Sequence, residues 1–477
     1  MKSLRSTLVE TSESMPTGAN ERTFDVIVIG AGVAGREAAG RLAGAGLSVA
    51  IVEPDLVGGE CPFWACMPSK SLLRPVEALT EARRVPGAAE AASGELDVTA
   101  VLARRDEVIH FLDDSSYLPW LESRGIELVR GHGRLDGDRR VRVGDGTLVA
   151  GKAVLIGTGT SAAIPPVDGL LDAKPWTNRE LTTATAVPSR LAILGGGAVG
   201  AEMAQAWCTL GSQVTLIEAR DRLLGREEPF AAAQVAESLR ERGVDVRLGA
   251  RATVVRREKG VGEVTITLQQ GPEVRADELA VAIGRRPRTD DLGLETVGLE
   301  PGKSIDVDDQ LRATAVDGDW LYAVGDVNGR ALLTHIGKYQ ARVASDNILG
   351  KSAAATADGL RSPRVLFTEP QVAAVGHTLQ SAQDAGLNVK TVEASTSGNA
   401  GGNFYGRDAV GTTRLVIDDD RGVIVGATIT GSEVADFLHA ATIAVVGEVP
   451  LERLAHAVPA FPTRSEVWST LLTELGF

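Results

Sequence analysis

A chain of 477 residues, 44% hydrophobic and 23% charged, has the length of about three domains and enough apolar residues to bury several cores. Its formal net charge of −14 excludes a general nucleic-acid binder, which needs clustered lysine and arginine. Three cysteines are too few for a disulfide-stapled secreted scaffold. Residues 1–23 are polar, with a Pro-Thr-Gly turn, and read as a disordered tail without the apolar stretch of a signal peptide. No apolar run reaches the roughly 18 residues that span a bilayer, so a cytoplasmic location with no membrane partner is expected.

Residues 25–29 are a short apolar run rich in β-branched side chains, followed by Gly30-Ala31-Gly32-Val33-Ala34-Gly35 and an alanine-rich stretch to about residue 45. This predicts strand, glycine turn and helix. Gly30 permits the tight turn, Gly32 lets backbone approach a pyrophosphate, and Gly35 permits close helix packing, with the phosphate charge meeting the helix N-terminus. The next predicted strand, 49–52, ends in Glu53, an acid placed to accept hydrogen bonds from an adenosine ribose.

Two cysteines follow, Cys61 and Cys66, in the run Gly58-Gly59-Glu60-Cys61-Pro62-Phe63-Trp64-Ala65-Cys66-Met67-Pro68-Ser69-Lys70. In an ideal helix their Cα atoms would stand roughly 8.6 Å apart. A disulfide tolerates no more than about 7 Å. A bridge therefore requires the segment to depart from regular helix, and Pro62 with Gly58-Gly59 upstream suits that departure. The regular helix is expected to begin near Pro68, which puts Cys66 at its N-terminus, where the dipole and Lys70 favour thiolate over thiol. Two free, buried cysteines are the alternative for an intracellular chain. The third, Cys208, falls on a predicted helix and reads as core.

The fingerprint then recurs. Residues 191–194 lead into Gly195-Gly196-Gly197-Ala198-Val199-Gly200, a helix to about residue 210 that carries Glu202, and a strand 214–217 ending in Glu218. Two dinucleotide sites with a cysteine pair after the first fit a relay from nicotinamide to flavin to disulfide.

Here the chain resembles a family, the class I pyridine nucleotide-disulfide oxidoreductases, over about residues 24–468. Residues 156–160, with Thr158 and Gly159, look like the family's crossover into the nicotinamide domain, and 282–287, with Gly284, like the return. Residues 322–326 resemble the second flavin motif, whose aspartate, here Asp326, hydrogen-bonds the ribityl chain; residues 332–335, ending in His335, match the stretch beside the isoalloxazine. Gly131-His132-Gly133 fits the adenine contact, and Phe367-Thr368-Glu369-Pro370 the entry to the dimerisation domain.

The resemblance implies FAD bound by the first fingerprint with Glu53, Gly59, Gly133, Thr158, Gly159, Asp326 and His335. It implies a nicotinamide nucleotide at Gly195, Gly197, Gly200, Glu218 and Gly284, and an ion pair of Lys70 with Glu202 beside flavin N5. A carboxylate at Glu218 repels a 2′-phosphate, so NAD(H) is favoured over NADP(H), although Arg220 and Arg222 offer a phosphate partners. No metal site is implied.

The chain departs from the family near its C-terminus. Disulfide-reducing members carry His-Pro-Thr-x-Ser-Glu there, the histidine serving the other subunit's outer cysteine as a base; this chain reads Phe461-Pro462-Thr463-Arg464-Ser465-Glu466. Phenylalanine transfers no proton, and general acid–base catalysis typically contributes about 10²–10⁴-fold. Glu466, which would orient the histidine, is left to pair with Arg464 or to take the protons itself; His456, five residues upstream, does not fit the motif. One member, 2-oxopropyl-coenzyme M oxidoreductase/carboxylase, shares the phenylalanine but replaces the glutamate with histidine, so that likeness is partial. Phe63 and Trp64 stand where the family has small or polar residues and should make the site drier. Glu60 stands where it has threonine or serine.

The expected fold is α/β: two Rossmann-like dinucleotide-binding domains and a C-terminal α+β dimerisation domain. The FAD domain takes 24–163 and 288–350, the nicotinamide domain 164–287 and the interface 351–477, in a homodimer that shares its active sites. The expected activity carries a hydride from NAD(P)H through FAD to Cys61-Cys66 and on to a specialised sulfur-containing or electrophilic small molecule, with Lys70, Glu202, Phe461 and Glu466 completing the site. The tail 471–477 has no cysteine, which sets mercuric reductases and large thioredoxin reductases aside. Competing readings are an NAD(P)H diaphorase or quinone reductase with idle cysteines, and a low-turnover flavoprotein redox sensor.

Overall fold

Val26 and Val28 point into one apolar core and Ile27 and Ile29 into another, all at most 3% exposed. A strand buried on both faces reads as a continuous apolar run, and it is stable only in a parallel sheet covered on both sides. In the computed structural model, which describes residues 20–406 and 409–477, β1 (Asn20–Ile29) pairs in parallel with β2 (Val49–Glu53) and with β3 (Gly146–Ile156). They form the centre of a seven-stranded sheet that also takes in the later strand Leu321–Ala323 beside β3.

β1 begins earlier than the sequence suggested. Residues 20–23, assigned to the tail, lie opposite residues 146–149, and Glu21 pairs with Arg140 at 2.6 Å while Arg22 pairs with Glu127. These charges read as tail-like in sequence but serve as cross-strand partners at a sheet end. Residues 1–19 lie outside the described residues.

The second fingerprint builds a second parallel sheet. β4 (Arg190–Leu194) and β5 (Gln213–Ile217) lie at its centre, flanked by Asp245–Arg247 and Glu278–Val281. A short antiparallel ribbon of Thr160–Ala162 with Arg285–Pro287 joins the outgoing and returning chain. Strands between Arg364 and Ser395 and between Thr412 and Gly431 make a five-stranded antiparallel sheet, packed by the helices Val434–Val446 and Val467–Glu474. The architecture is thus α/β with two dinucleotide-binding folds and an α+β unit. Among the described residues no helix is long and apolar enough to cross a membrane.

Both glycine turns lie tight against their helices. A Cβ on Gly35, in α1 (Val33–Gly44), would stand 1.9 Å from the Gly30 carbonyl oxygen; one on Gly200 would stand 1.8 Å from that of Gly195. No side chain fits at such distances, so each helix N-terminus reaches the mouth of its sheet only because glycine occupies that position.

Candidate active site

A cavity of about 590 Å³ opens at the C-terminal ends of β1 and β2. Gly30, Gly32, Glu53, Gly59, Gly133, Thr158, Gly159 and Asp326 line it, together with Cys61, Cys66, Lys70 and Glu202. Gly35 lies behind its turn. Gly195, Gly197, Gly200, Glu218 and Gly284 belong to the second fold and do not line this cavity, although Ala198 and Val199 at the head of α5 (Ala198–Thr209) do.

His335 is a correction. Its ring nitrogen lies 2.8 Å from the Pro363 carbonyl oxygen and the residue is exposed. The helix Thr334–Ile348 starts at Thr334, and with 3.6 residues per turn Thr334 and Gly337 face the cavity while His335 turns away.

The cysteines sit on two helices. α2 (Glu60–Trp64) stops at Ala65, whose φ of −134° and ψ of −95° are far from helical, and α3 (Cys66–Arg84) starts immediately after. The break therefore falls at Ala65, not at Pro62, and α3 begins at Cys66, not near Pro68, which sits in its first turn where no amide is needed. Gly58 and Gly59 hold positive φ before α2, and a Cβ on Gly59 would stand 2.8 Å from Gly32 Cα. That contact seats the cysteine segment against the first glycine turn.

Cys61 and Cys66 are free thiols in contact. A hydrogen bond from Cys61 draws the Cys66 thiol down to about 6, helped by the Thr334 hydroxyl at 3.3 Å and the Lys70 charge, with burial opposing. The same bond pushes Cys61 up, and its burial adds to the effect. Position at the N-terminus of a 19-residue helix favours the Cys66 anion further. One sulfur is thus poised as thiolate and the other as thiol.

Lys70, one turn along α3, places Nζ 2.7 Å from Glu202 Oε2 of α5 (Ala198–Thr209). Glu202 Oε1 accepts the Phe367 amide at 2.9 Å, and the Lys70 ammonium lies 4.9 Å from the Phe367 ring centre. The pair is locked from both sides.

Phe63 is fully buried, edge-on to Tyr117, and Trp64 is 8% exposed. The Trp64 carbonyl accepts from Asn178 Nδ2 at 2.9 Å and from Thr182 Oγ1 at 3.1 Å, while the Arg179 guanidinium lies 3.7 Å over the indole. These partners come from α4 (Asn178–Thr183). Glu60 meets the same helix: Asn178 donates at 2.9 Å, Arg179 approaches to 2.7 Å and Arg288 to 2.8 Å. Burial pushes Glu60 up, yet the bonds from Asn178 and Arg179 and the charges of Arg179 and Arg288 carry it below the usual carboxylate range. Sequence reading missed Asn178, Arg179, Arg288 and Thr334; only Thr334 lay inside a recognised motif.

Glu53 and Glu218 do the same local work in the two folds. Each accepts a glycine-turn amide at 2.7 Å, from Ala31 and Gly196 respectively, and a second amide two residues on at 2.8 Å, from Asp55 and Arg220. Burial raises Glu53 despite those bonds, and burial likewise raises Asp326, which accepts from Thr160 Oγ1 at 2.8 Å. Cys208 packs against the second fold's core and donates to the Arg242 carbonyl, as a core residue.

Phe461 lies outside the cavity and is 76% exposed, with Val458 beside it at 86%. Arg464 does not pair with Glu466: it is buried, stacks 3.9 Å over the Tyr405 ring and donates to the Ser432 carbonyl. Glu466 Oε2 is buried with no partner among the described residues, and His456 is exposed.

Two dinucleotide folds meeting at a cysteine pair, with a lysine–glutamate bridge between them, define a flavin-linked oxidoreductase. The chain matches the description "Pyridine nucleotide-disulphide oxidoreductase" over residues 24–345 and that family's dimerisation domain over 362–472, and it belongs to this family. It is 33% identical to a dihydrolipoyl dehydrogenase of Thermus scotoductus, over 93% of this chain and 96% of that one. It is 29% identical to a mercuric reductase of Lysinibacillus sphaericus, over 94% and 82%. Among solved structures it resembles the HOCl-induced flavoprotein disulfide reductase RclA of Escherichia coli, at a TM-score of 0.81 and 26% identity over 94% of this chain and 99% of that one. LpdA of Mycobacterium tuberculosis superposes at 0.82 with 27% identity, over 95% and 99%. The chain is therefore an FAD-dependent oxidoreductase. The cavity fits that cofactor: its turn glycines Gly30 and Gly59 leave no room for a Cβ, the carboxylates of Glu53 and Asp326 are desolvated, and Arg179, Arg285 and Arg288 line it.

Proposed function

We propose that this enzyme passes reducing equivalents from a nicotinamide nucleotide to the Cys61-Cys66 pair and delivers them to a sulfur-containing or electrophilic small molecule that tolerates slow protonation. The observation that carries this reading is the placement of the pair: Cys61 and Cys66 at the head of α3, with Cys66 3.3 Å from the Thr334 hydroxyl and one turn from the Lys70–Glu202 bridge.

FAD, when bound, supplies the two-electron link between the nucleotide and the sulfurs. Gly30, Gly32 and the head of α1 would hold its diphosphate, Asp326 its ribityl chain, and Glu53 its adenosine ribose. Lys70 fixes a positive charge where a hydride arrives, and Glu202 keeps that charge in place. Cys66 is the inner sulfur and rests as thiolate; Cys61 is the outer sulfur and attacks the substrate as its proton passes to the Cys66 thiolate along the hydrogen bond the two share. The segment around Phe461, exposed and apolar with Val458, reaches a partner subunit in a homodimer and covers Cys61 without offering a proton. Glu218 favours NAD(H), and a cytoplasmic setting suits a working dithiol.

The test is an NADH titration of the yellow protein. A long-wavelength absorbance band from the Cys66 thiolate against flavin is expected in the wild type and not in Cys66→Ser; a band that is missing from the wild type, or that survives in Cys66→Ser, defeats the reading. The substrate panel includes disulfides and soft metal ions, because mercuric reductases are among the relatives and one RclA structure is a Cu(II) complex.

A further inference from the structure

Glu60 is the residue the reaction does not use. It is half of a conspicuous charge cluster: Arg179 contributes Nε at 2.9 Å and Nη2 at 2.7 Å, Arg288 contributes Nη2 at 2.8 Å, and Arg285 stands 3.8 Å away. The three arginines come from different stretches of chain, one on α4 and two beside the returning ribbon. All of them line the main cavity, as does Asp55, which takes the remaining reach of Arg179 at 3.0 Å.

The cluster adjoins the first glycine turn, where a diphosphate would sit. Gly32 and Gly58 form a parallel bridge, Gly59 packs against Gly32, and Glu60 is the next residue. A glycine turn at a helix N-terminus recruits phosphate through its amides and dipole, and guanidinium groups beside it strengthen the hold. Here three guanidinium groups already face a carboxylate. Arginine binds carboxylate and phosphate through the same planar fork, so the two anions compete for one set of donors.

We infer that Glu60 is a resident anion: it occupies Arg179 and Arg288 and so weakens the chain's hold on the FAD diphosphate. The inference rests on FAD as the cofactor of this cavity. Glu60 is a positioning residue in this account, since it acts on the cofactor through the arginines. Its consequence is a flavin that exchanges more readily than the glycine cradle alone would allow, and more readily still as salt screens what remains of the attraction.

Holoenzyme is diluted into buffer at low and high potassium chloride and the released FAD is followed by its fluorescence. Glu60→Gln should release FAD at least about tenfold more slowly, the scale of one charge-assisted hydrogen bond regained. Arg288→Gln should release it faster. Affinity of the apoprotein for riboflavin, which has no diphosphate, should be the same in wild type and Glu60→Gln. Release from Glu60→Gln at the wild-type rate or faster overturns the inference, and so does a riboflavin affinity that moves in step with that for FAD. If Glu60→Gln fails to fold, Glu60→Thr carries the same expectation; failure of both variants makes Glu60 a structural residue and overturns the inference too. A wild-type protein that holds no FAD at all defeats the functional reading itself, an outcome distinct from a flavoprotein indifferent to residue 60.

Discussion

Lys70 Nζ lies 2.7 Å from Glu202 Oε2, and this contact ties the helix that opens at Cys66 to the helix that follows the second glycine turn. The two dinucleotide folds therefore share one charge pair at the point where the sulfurs sit. Lys70 also lowers the Cys66 thiol, after the bonds from Cys61 and Thr334.

The band from the Cys66 thiolate should titrate accordingly. A depressed thiol pKa means thiolate above it and thiol below it, so in NADH-reduced protein the band should be full at pH 7.5, by about 1.5 units of margin, and fade on acidification around pH 6. Lys70→Gln should move that midpoint upward by about one unit, the lower end of what a nearby opposite charge supplies. Absorbance at the band maximum across a pH series measures both; a midpoint that Lys70→Gln leaves in place would remove Lys70 from the account. Cys61 and Cys66 titrate as a pair, so the midpoint belongs to the couple.

Phe461→His should restore a base. Turnover of NADH with a panel of simple disulfides is expected to rise on the order of 10²-fold, with a new acidic limb in the pH–rate profile near the usual histidine range of about 6.5. A rise with no pH limb would point to a roomier pocket in place of proton transfer.

Gly200→Ala should separate the two cofactor sites. The added Cβ meets the Gly195 carbonyl oxygen at 1.8 Å, so the second turn must shift, while the first turn is untouched. The purified variant should remain yellow yet lose most NADH reduction, at a stability cost of about 1–3 kcal/mol. Stopped-flow reduction and the flavin-to-protein ratio read the two effects separately.

Glu218→Ala is expected to weaken NADH without creating NADPH preference. Its carboxylate holds the amides of Gly196 and Arg220, so its removal loosens the turn for either nucleotide. KM for NADH should rise about tenfold, the scale of a lost charge-assisted bond, and KM for NADPH should not fall. A fall in the NADPH value would show that Glu218 acts mainly by repelling a 2′-phosphate.

Much of this site was legible because the information is local. Gly30 to Gly35 and Gly195 to Gly200 each encode a strand, a turn and a helix within a few residues, and Cys61, Cys66 and Lys70 stand on a single short segment. Lys70 and Glu202 were matched because each lies inside its own motif. Arg179 and Arg288 were not legible: an exposed-looking arginine has no sequence mark that says it will fold 119 or 228 positions back onto Glu60. His335 was misplaced for a related reason. The motif located the stretch, but the helix phase that turns Thr334 inward and His335 outward depends on where that helix begins. Helix starts are decided by caps and tertiary contacts, and the same weakness put the head of α3 two residues too late.

The carbonyl of Trp64 has one further consequence. Asn178 and Thr182 grip it from α4, and Arg179 presses on the indole above, so the main chain between the two sulfurs is anchored from outside its own loop. A clasp fixed at both ends opens and shuts by the swing of its pin alone. The backbone between Cys61 and Cys66 is thus held in place from α4, and side-chain rotation is left as the expected way for the two sulfurs to change partners.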